Sequence, residues 1–323
     1  HMDYGFELTD DERRAFDEFV GDYASVLDRR SGRWQSLNQS ELQSRSGKLK
    51  RFIRKGIPRE LRSDVWMLVS GAQGRLNERP GYYKTLLGNV AEDDAVANQV
   101  RLDLHRTFPE NVHFKEFGNS ESQMQALFNV LYAFGKKNPA VGYCQGLNYV
   151  TALMLLVVKD EEKAFWLLDT LVNRILPGYY QPSMASFQAE CYVLGRLVQE
   201  KLPQVHKFMK DYGVTFPMVT LKWFICLYAD VLPVETVYRI WDVLFFEGSK
   251  VLFRVALTLI HLNQNALLGC RDLPSAIKVF QQMVQDRNVL HCHTFIPQIF
   301  KVPQSLPMKK IEQLRAEAQA NQD

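Results

Sequence analysis

The sequence lacks a strong charge of either sign, since 39 basic residues nearly balance 36 acidic ones and leave a formal charge of +3. So weak a field gives no argument for binding nucleic acid. The sequence also lacks a long hydrophobic run. Its most apolar stretch, residues 147–158, is shorter than the roughly 20 residues that cross a membrane. We therefore predict that this stretch is a core helix.

Cysteine is scarce and irregularly spaced. The five cysteines are odd in number and lie mostly among apolar neighbours, at Cys144, Cys191, Cys226, Cys270 and Cys292. Small secreted domains use paired cysteines, whereas reduced, buried thiols are typical of cytosolic proteins. We therefore expect no disulfide framework and a cytoplasmic protein, with recruitment to membranes left open.

The usual catalytic signatures are missing from the sequence. It has no GxxxxGK[ST] phosphate-binding loop, no GxSxG elbow, no HExxH motif and no CxxC pair. We expect the chain alone to bind no nucleotide and no cofactor. His291-Cys292-His293 suggests a metal site, but adjacent side chains diverge and no second cluster supplies ligands, which favours ordinary packing or surface residues.

Helical periodicity, by contrast, covers most of the chain. Hydrophobic residues make up 46% of the sequence, and many recur three and four apart after a helix-start signal. Pro58, Asp160 and Pro233 each precede such a segment, and Gly248 ends one of them. Because strand-like alternation is rare, the pattern predicts an all-α fold.

Composition divides the chain into three parts. Thr9 and Glu12 form a capping box that starts an amphipathic helix, and the polar residues 35–47 predict a mobile linker. The assigned parts are an N-terminal helical arm with its linker, a main domain and a C-terminal helical tail, at residues 1–48, 49–305 and 306–323.

Three further segments carry weaker signals. Residues 73–98 are rich in turn residues and predict a long surface loop with a short helix. The tail is expected to be a frayed amphipathic helix anchored by Ile311 and Leu314. The basic run at residues 48–55 is explained by a solvated helix face or by contact with anionic lipid or an acidic partner. The solvated face is favoured, and we expect at most a peripheral membrane association, through a partner.

Two short segments could carry chemistry, the first at residues 100–109. Asp103 and Arg106 are three apart, hence on one helix face, just before a proline that ends the helix. An arginine at a helix end can project into a partner. An exposed salt bridge between the two residues also explains the spacing, and taken alone the spacing favours that bridge.

The second segment, residues 138–149, runs through a turn into the apolar helix. Gln145 is expected near the N-terminus of that helix, where Gly142 and Gly146 allow another backbone or a phosphate to approach closely. The alternative is a glutamine that caps loop amides, and this segment alone favours the cap.

Together the two segments resemble the signature motifs of the TBC domain, the family of Rab GTPase-activating proteins: IxxDxxR followed by YxQG. Val100 replaces the usual isoleucine, a small change in volume. The matching residues are Asp103, Arg106, Tyr143, Gln145 and Gly146. Further family-like residues over 49–300 are Arg62, Trp66, Trp223, Arg239, Trp241 and Asp242.

The resemblance implies a two-lobed, all-α domain whose groove docks a Rab-family small GTPase in its GTP-bound form. Arg106 and Gln145 would both be presented to the nucleotide, as an arginine finger and a glutamine finger. GTP and Mg²⁺ would arrive on the partner, and the protein would act in vesicle traffic.

The resemblance also separates supporting residues from structural ones. Asp103 is expected to pair with Arg106 or nearby amides and to set the direction of the Arg106 side chain. Tyr143, Gly146 and Asn148 are expected to support residues 138–149, which we call the glutamine segment. The remaining motif residues are assigned a structural role: Arg62, Trp66, Trp223, Arg239, Trp241 and Asp242. The last four are expected to be core aromatics and a buried ion pair, so their loss should unfold the domain before it alters chemistry.

Two alternatives to an active GTPase activator stay open. A catalytically silent scaffold would bind a Rab GTPase without hydrolysis, although both finger side chains are retained. A helical adaptor would use the N-terminal arm as its working part and the domain as support.

Overall fold

The computed structural model describes residues 3–116 and 122–322. Within those ranges the regular secondary structure is helical, and the β-type pairing recorded is an isolated antiparallel bridge between Phe6 and Asn111. The all-α fold is therefore confirmed. The chain divides into two compact units, with the boundary after Pro182.

In the residues that the structure describes, the first unit contains ten α-helices. They are α1 (Asp10–Gln35), α2 (Gln39–Gln43), α3 (Gly47–Arg54), α4 (Arg59–Ser70), α5 (Ala72–Glu78), α6 (Tyr82–Leu86), α7 (Ala95–Leu104), α8 (Met124–Lys137), α9 (Leu147–Val158) and α10 (Glu161–Thr170). A turn of π-helix, Leu171–Ile175, continues α10. The buried helix α9 confirms the predicted core helix.

The second unit contains the remaining helices. They are α11 (Ala185–Lys201), α12 (Pro203–Tyr212), α13 (Phe216–Val219), α14 (Leu221–Ile225), α15 (Val234–Glu247), α16 (Lys250–Leu262), α17 (Gln264–Leu268), α18 (Leu273–Met283), α19 (Arg287–Leu290), α20 (Cys292–Lys301) and α21 (Met308–Ala320). Pro233 and Gly248 bound α15 as predicted.

Capping residues explain where the helices of the N-terminal arm begin, and they correct part of the prediction of a linker over residues 35–47. The Thr9 amide donates to Glu12 Oε2 at 2.8 Å, and the Glu12 amide donates to Thr9 Oγ1 at 3.3 Å, so the predicted capping box is present. The linker expected over residues 35–47 instead carries α2, because Asn38 and Glu41 form a second capping box. A polar composition is compatible with a capped helix, so part of the segment predicted as a linker is helical, while its mobility stays a prediction.

The long surface loop predicted over residues 73–98 is also wrong in part. Helices α5 and α6 and the start of α7 occupy much of it. Tyr83 on α6 is buried and donates to Glu161 Oε1 at 2.9 Å. Tertiary contacts of this kind stabilise helices too short to form alone.

The family-like aromatic and charged residues are buried, each in the core of its own unit. Trp66 and Arg62 lie in the first unit. In the second unit the Trp241 indole donates to the Leu227 carbonyl at 3.0 Å. Trp223, Arg239, Trp241 and Asp242 are all buried there. Burial agrees with the interpretation of these residues as core groups, while an ion pair between Arg239 and Asp242 stays a prediction.

The C-terminal helix α21 is tied to the second unit by apolar and charged contacts. Ile311 and Leu314 are buried, as expected of the anchors. Arg315 adds a bidentate ion pair to the buried Glu190, with Nε to Oε1 at 2.7 Å and Nη2 to Oε2 at 3.0 Å. The tail helix is thus held by more than its two apolar anchors.

We expect Arg315→Ala to lower the free energy of unfolding by about 3 kcal/mol, because it leaves the buried Glu190 carboxylate without this partner. Lys310→Ala is the matched control, since its pair with Glu200 is exposed and worth little. Calorimetric unfolding of both variants measures the difference. Equal, small effects would show that the Arg315 pair does not stabilise the helix.

Candidate functional site

The arginine of the first motif lies just beyond a helix end. Asp94 caps the N-terminus of helix α7, where its side chain accepts from the Ala97 amide at 3.0 Å, and the helix ends at Leu104. Arg106 lies in the turn that follows, with its side chain 53% exposed. Pro109 then prevents the helix from continuing. The Arg106 side chain therefore lies beyond the helix end with about half of its surface open to solvent.

The glutamine of the second motif lies just before a helix start. Gln145 is an exposed turn residue, and Gly146 is the residue that precedes α9. Gly146 has φ of 107°, a conformation that side chains disfavour. The glycine is thus needed for the chain to turn directly from the exposed glutamine into a buried helix.

A buried carboxylate joins the two motifs. Asp103, only 5% exposed in its side chain, pairs through Oδ1 with the Arg106 guanidinium. Its other oxygen accepts a hydrogen bond from the Tyr143 hydroxyl. The expected pairing of Asp103 with Arg106 is present, but its carboxylate is buried, unlike the exposed salt bridge that the spacing alone favours.

The Tyr143 hydroxyl is a permanent donor in this arrangement. Burial, and then its hydrogen bond to Asp103, raise the pKa of Tyr143 above its ordinary value. The phenol therefore stays protonated at neutral pH and donates to the carboxylate throughout. The charge of Asp103 is left to be balanced by Arg106.

Asn148 makes a second connection between the motifs. Its Oδ1 accepts from the Gly146 amide at 3.0 Å, and its Nδ2 donates to Thr107 Oγ1 at 2.9 Å. The Thr107 hydroxyl in turn donates to the Asp103 carbonyl at 2.6 Å. Both side chains are buried, so this chain of hydrogen bonds fixes the residues that follow both Arg106 and Gln145.

A separate buried acid holds the start of the glutamine segment. Asp169 is fully buried and accepts from Asn138 Nδ2 at 2.9 Å and from Asn173 Nδ2 at 3.0 Å. Arg75 and Lys137 form ion pairs with the same carboxylate. Asn138, which ends α8, is thereby fixed where the segment leaves the helix.

Gly135 lets the glutamine segment pack against α8. A Cβ at this position would lie 2.7 Å from Val96 Cγ1 and 3.1 Å from the Gly142 carbonyl oxygen. Both distances are below normal van der Waals contact. Only a residue without a side chain permits α7, α8 and the glutamine segment to meet there.

The described residues offer little support for a thiol nucleophile, a metal site or a membrane-spanning helix. Burial raises the pKa of the Cys144 thiol, so this neighbour of Gln145 is a poor nucleophile at neutral pH. In the part of the chain that the structure describes, no group of three or more His, Cys, Asp or Glu side chains is arranged to hold a metal ion. Across residues 3–116 and 122–322, none of the helices has the length and apolar character needed to span a bilayer.

The structure connects most of the predicted site residues and leaves the structural ones elsewhere. Asp103, Arg106, Tyr143, Gly146 and Asn148 share one hydrogen-bonded cluster, and Gln145 lies in the turn that belongs to it. Sequence analysis missed the contributions of Thr107, Asp169 and Gly135. A hydroxyl directly after the arginine was a signal for Thr107, whereas Asp169 gave none because Asn138, the partner that connects it to this site, is distant in the chain.

Known proteins are similar to this chain in sequence and in fold. A family model described as the Rab-GTPase-TBC domain matches residues 59–268. Growth hormone-regulated TBC protein 1-A of Danio rerio is 46% identical over 319 residues, covering 98% of this chain and 89% of that protein. Growth hormone-regulated TBC protein 1 of Homo sapiens is 44% identical over 318 residues, with 98% and 94% covered.

Solved structures of Rab-GAP domains are also similar to this chain. The crystal structure of the Chlamydomonas flagellar RabGAP TBC domain has a TM-score of 0.74 and 29% identity, and the match covers 93% of this chain and 99% of that one. The Ypt/Rab-GAP domain of Gyp1p, at 19% identity and a TM-score of 0.62 over 95% and 98% of the two chains, shares the fold. The chain belongs to the Rab-GTPase-TBC domain family.

We expect Thr107→Val and Asn148→Ala each to lower the free energy of unfolding by about 1–3 kcal/mol, because each leaves buried polar groups without a partner. The double variant should lose less than the sum of the two, since both remove the same hydrogen bond. Tyr149→Phe is the control, because its bond to the Arg106 carbonyl is long, 3.4 Å. Strict additivity in calorimetry would show that the two side chains act independently.

Proposed function

We propose that this protein stimulates GTP hydrolysis on a Rab-family small GTPase in its GTP-bound form, supplying Arg106 and Gln145 in trans. The observation that carries the proposal is the exposure of both side chains on two segments that Asp103, Tyr143, Asn148 and Thr107 tie together. Membership of the Rab-GTPase-TBC domain family supports the choice of partner. Through that partner the protein would act in vesicle traffic.

The arginine suits the charge that develops during phosphoryl transfer. Little covalent chemistry is needed, so an activator works by neutralising charge on the γ-phosphate and the leaving oxygen. A guanidinium is always charged and presents a planar set of donors. The ion pair with Asp103 occupies Nη2, and the half-exposed remainder of the group is available to phosphate oxygens.

Pre-orientation is the advantage of the Asp103 contact. A free arginine side chain loses roughly 2 kcal/mol of rotamer freedom when it is fixed in one geometry. The buried Asp103 carboxylate already restricts the guanidinium before the GTPase binds, so less of this rotamer entropy is lost on binding. Asp103 is thus proposed as a positioning residue that does not touch the nucleotide.

The glutamine suits the attacking water. A carboxamide oxygen can accept a proton from water while its NH₂ group donates to a phosphate oxygen. The start of α9 places the positive end of a helix dipole behind this side chain, which favours an approaching anion. Gln145 would then orient the attacking water in place of a glutamine of the GTPase. GTP and Mg²⁺ are supplied by the partner, and the protein needs no cofactor of its own.

We expect Arg106→Ala to lower the stimulated rate of GTP hydrolysis by a factor on the order of 10³, in line with other arginine fingers. Gln145→Ala should also lower the rate severely. Turnover is measured on a panel of purified Rab GTPases loaded with GTP. Arg101→Ala is the matched control, because Arg101 is an exposed arginine on α7 whose guanidinium lies 5.2 Å from the Phe128 ring.

The outcomes of this assay separate the competing functions. Equal turnover by the unaltered protein and Arg106→Ala, on a GTPase that both bind, would remove the proposed mechanism. Binding of a Rab GTPase without any stimulation by the unaltered protein would instead favour the silent scaffold. Stimulation of a Rab GTPase by the unaltered protein would count against the helical adaptor, in which the domain serves only as support.

A further inference from the structure

Residues 4–8 lie across the loop that carries Arg106. We call residues 4–8 the N-terminal strap and residues 105–115 the arginine loop. The Val112 amide donates to the Gly5 carbonyl at 2.9 Å, and the Glu7 amide donates to the Glu110 carbonyl at 2.9 Å. These bonds make the isolated antiparallel bridge between Phe6 and Asn111. The strap thus pairs with the loop as a short edge strand would.

Side chains reinforce this pairing close to the arginine. The Phe6 ring contacts the Phe108 ring edge-on, with centroids 5.3 Å apart, and Phe108 contacts the Tyr149 ring at 5.2 Å. Phe108 is therefore enclosed between the strap and α9, two residues after Arg106. Its φ of 48° is unusual for a residue with a side chain, and such a conformation persists only when its surroundings hold it.

The buried side chain of Asn111, which belongs to the arginine loop, adds a hydrogen bond to the backbone of the strap. Asn111 is fully buried, and its Nδ2 donates to the Tyr4 carbonyl at 2.9 Å. Its Oδ1 accepts from the His113 amide at 2.9 Å. One side chain therefore satisfies a polar group of the strap and one of the loop, so separating the two would leave the Tyr4 carbonyl and the buried Asn111 amide group without each other.

The strap has its own anchor away from the loop. Tyr4 is buried, its hydroxyl accepts from Arg62 Nη1 at 3.0 Å, and the Arg59 guanidinium lies 4.1 Å from its ring centroid. Both arginines belong to α4. The strap therefore connects the arginine loop to a helix of the core.

Gly5 sets how closely the strap approaches. Its φ is 86°, and a Cβ there would lie 2.7 Å from His113 Cδ2 and 2.9 Å from Val112 Cγ2. A side chain at this position would be strained and would push against the arginine loop. Replacing Gly5 thus disturbs the contact without removing any existing side chain.

We propose that the N-terminal strap positions Arg106 for its work on the partner's nucleotide. The inference rests on the proposed function. The strap lies outside the region that the family model matches, residues 59–268. By fixing the residues after Arg106, it keeps the guanidinium on Asp103 and at one distance from the GTPase surface. Displacement of a catalytic group by about 1 Å costs about 10²-fold in rate, so a contact of this kind governs turnover.

The test compares kinetic constants of strap variants in the full chain. Phe6→Ala and Gly5→Ala should each lower kcat for stimulated hydrolysis by about 10- to 100-fold, with KM for the GTPase little changed. Phe6→Tyr, which keeps the ring, should retain activity. The matched control is Phe16→Ala on α1, since Phe16 is a half-buried ring that contacts Phe19 at 6.1 Å.

Two further measurements separate positioning from general stability. Adding Phe6→Ala to Arg106→Ala should cause little further loss of turnover, because the strap acts through the arginine. Amide hydrogen exchange should speed up in residues 105–115 of Phe6→Ala but stay unchanged in α15, which reports the second unit. Gly5→Ala provides an independent variant should Phe6→Ala fold poorly.

The possible failures are distinguishable. Unchanged kcat in both strap variants of an otherwise active protein would overturn the positioning role alone. Equal losses from Phe6→Ala with and without Arg106 would do the same, since the strap would then act elsewhere. An unaltered protein that stimulates no GTPase of the panel would overturn the proposed function and the role of the strap with it.

Discussion

One buried carboxylate is the constraint on which the candidate site depends. Asp103 lies on the last turn of α7 and faces two motifs that are about forty residues apart, as the Tyr143 contact shows. An ionised carboxylate is costly to bury unless donors surround it. Arg106 and Tyr143 supply those donors, so the same requirement that stabilises the carboxylate brings the arginine segment to the glutamine segment.

Much of the fold could be predicted from the sequence because its signals are local. Capping residues, helix-starting prolines and terminal glycines determine where helices begin and end, and the capping box at Thr9 and the bounds of α15 were predicted on that basis. Composition was a poorer guide. Residues 35–47 are polar enough to suggest a linker, yet Asn38 and Glu41 cap a helix there, because a cap needs particular residues at a spacing rather than an average hydrophobicity.

The site was predicted only in part, because many of its contacts join distant residues. The spacing of Asp103 and Arg106 indicates a pair, and the structure contains it. No local pattern indicates that Asn148 reaches Thr107, or that Asp169 holds Asn138. Gly135 is an ordinary helical glycine in sequence and matters because Val96 and the Gly142 carbonyl approach it closely. Whether these residues support catalysis stays a prediction.

The anchoring of Tyr4 has a practical consequence for how the family's boundaries are used. A fragment cut to the matched region, residues 59–268, would keep both signature motifs and lose the aromatic residue that rests on Arg59 and accepts from Arg62. The fully buried Arg62 guanidinium would lose a hydrogen-bond partner, and the edge of residues 110–112 would be open to pairing with another chain. A fragment with these boundaries would therefore be less stable and more prone to self-association than the chain described here.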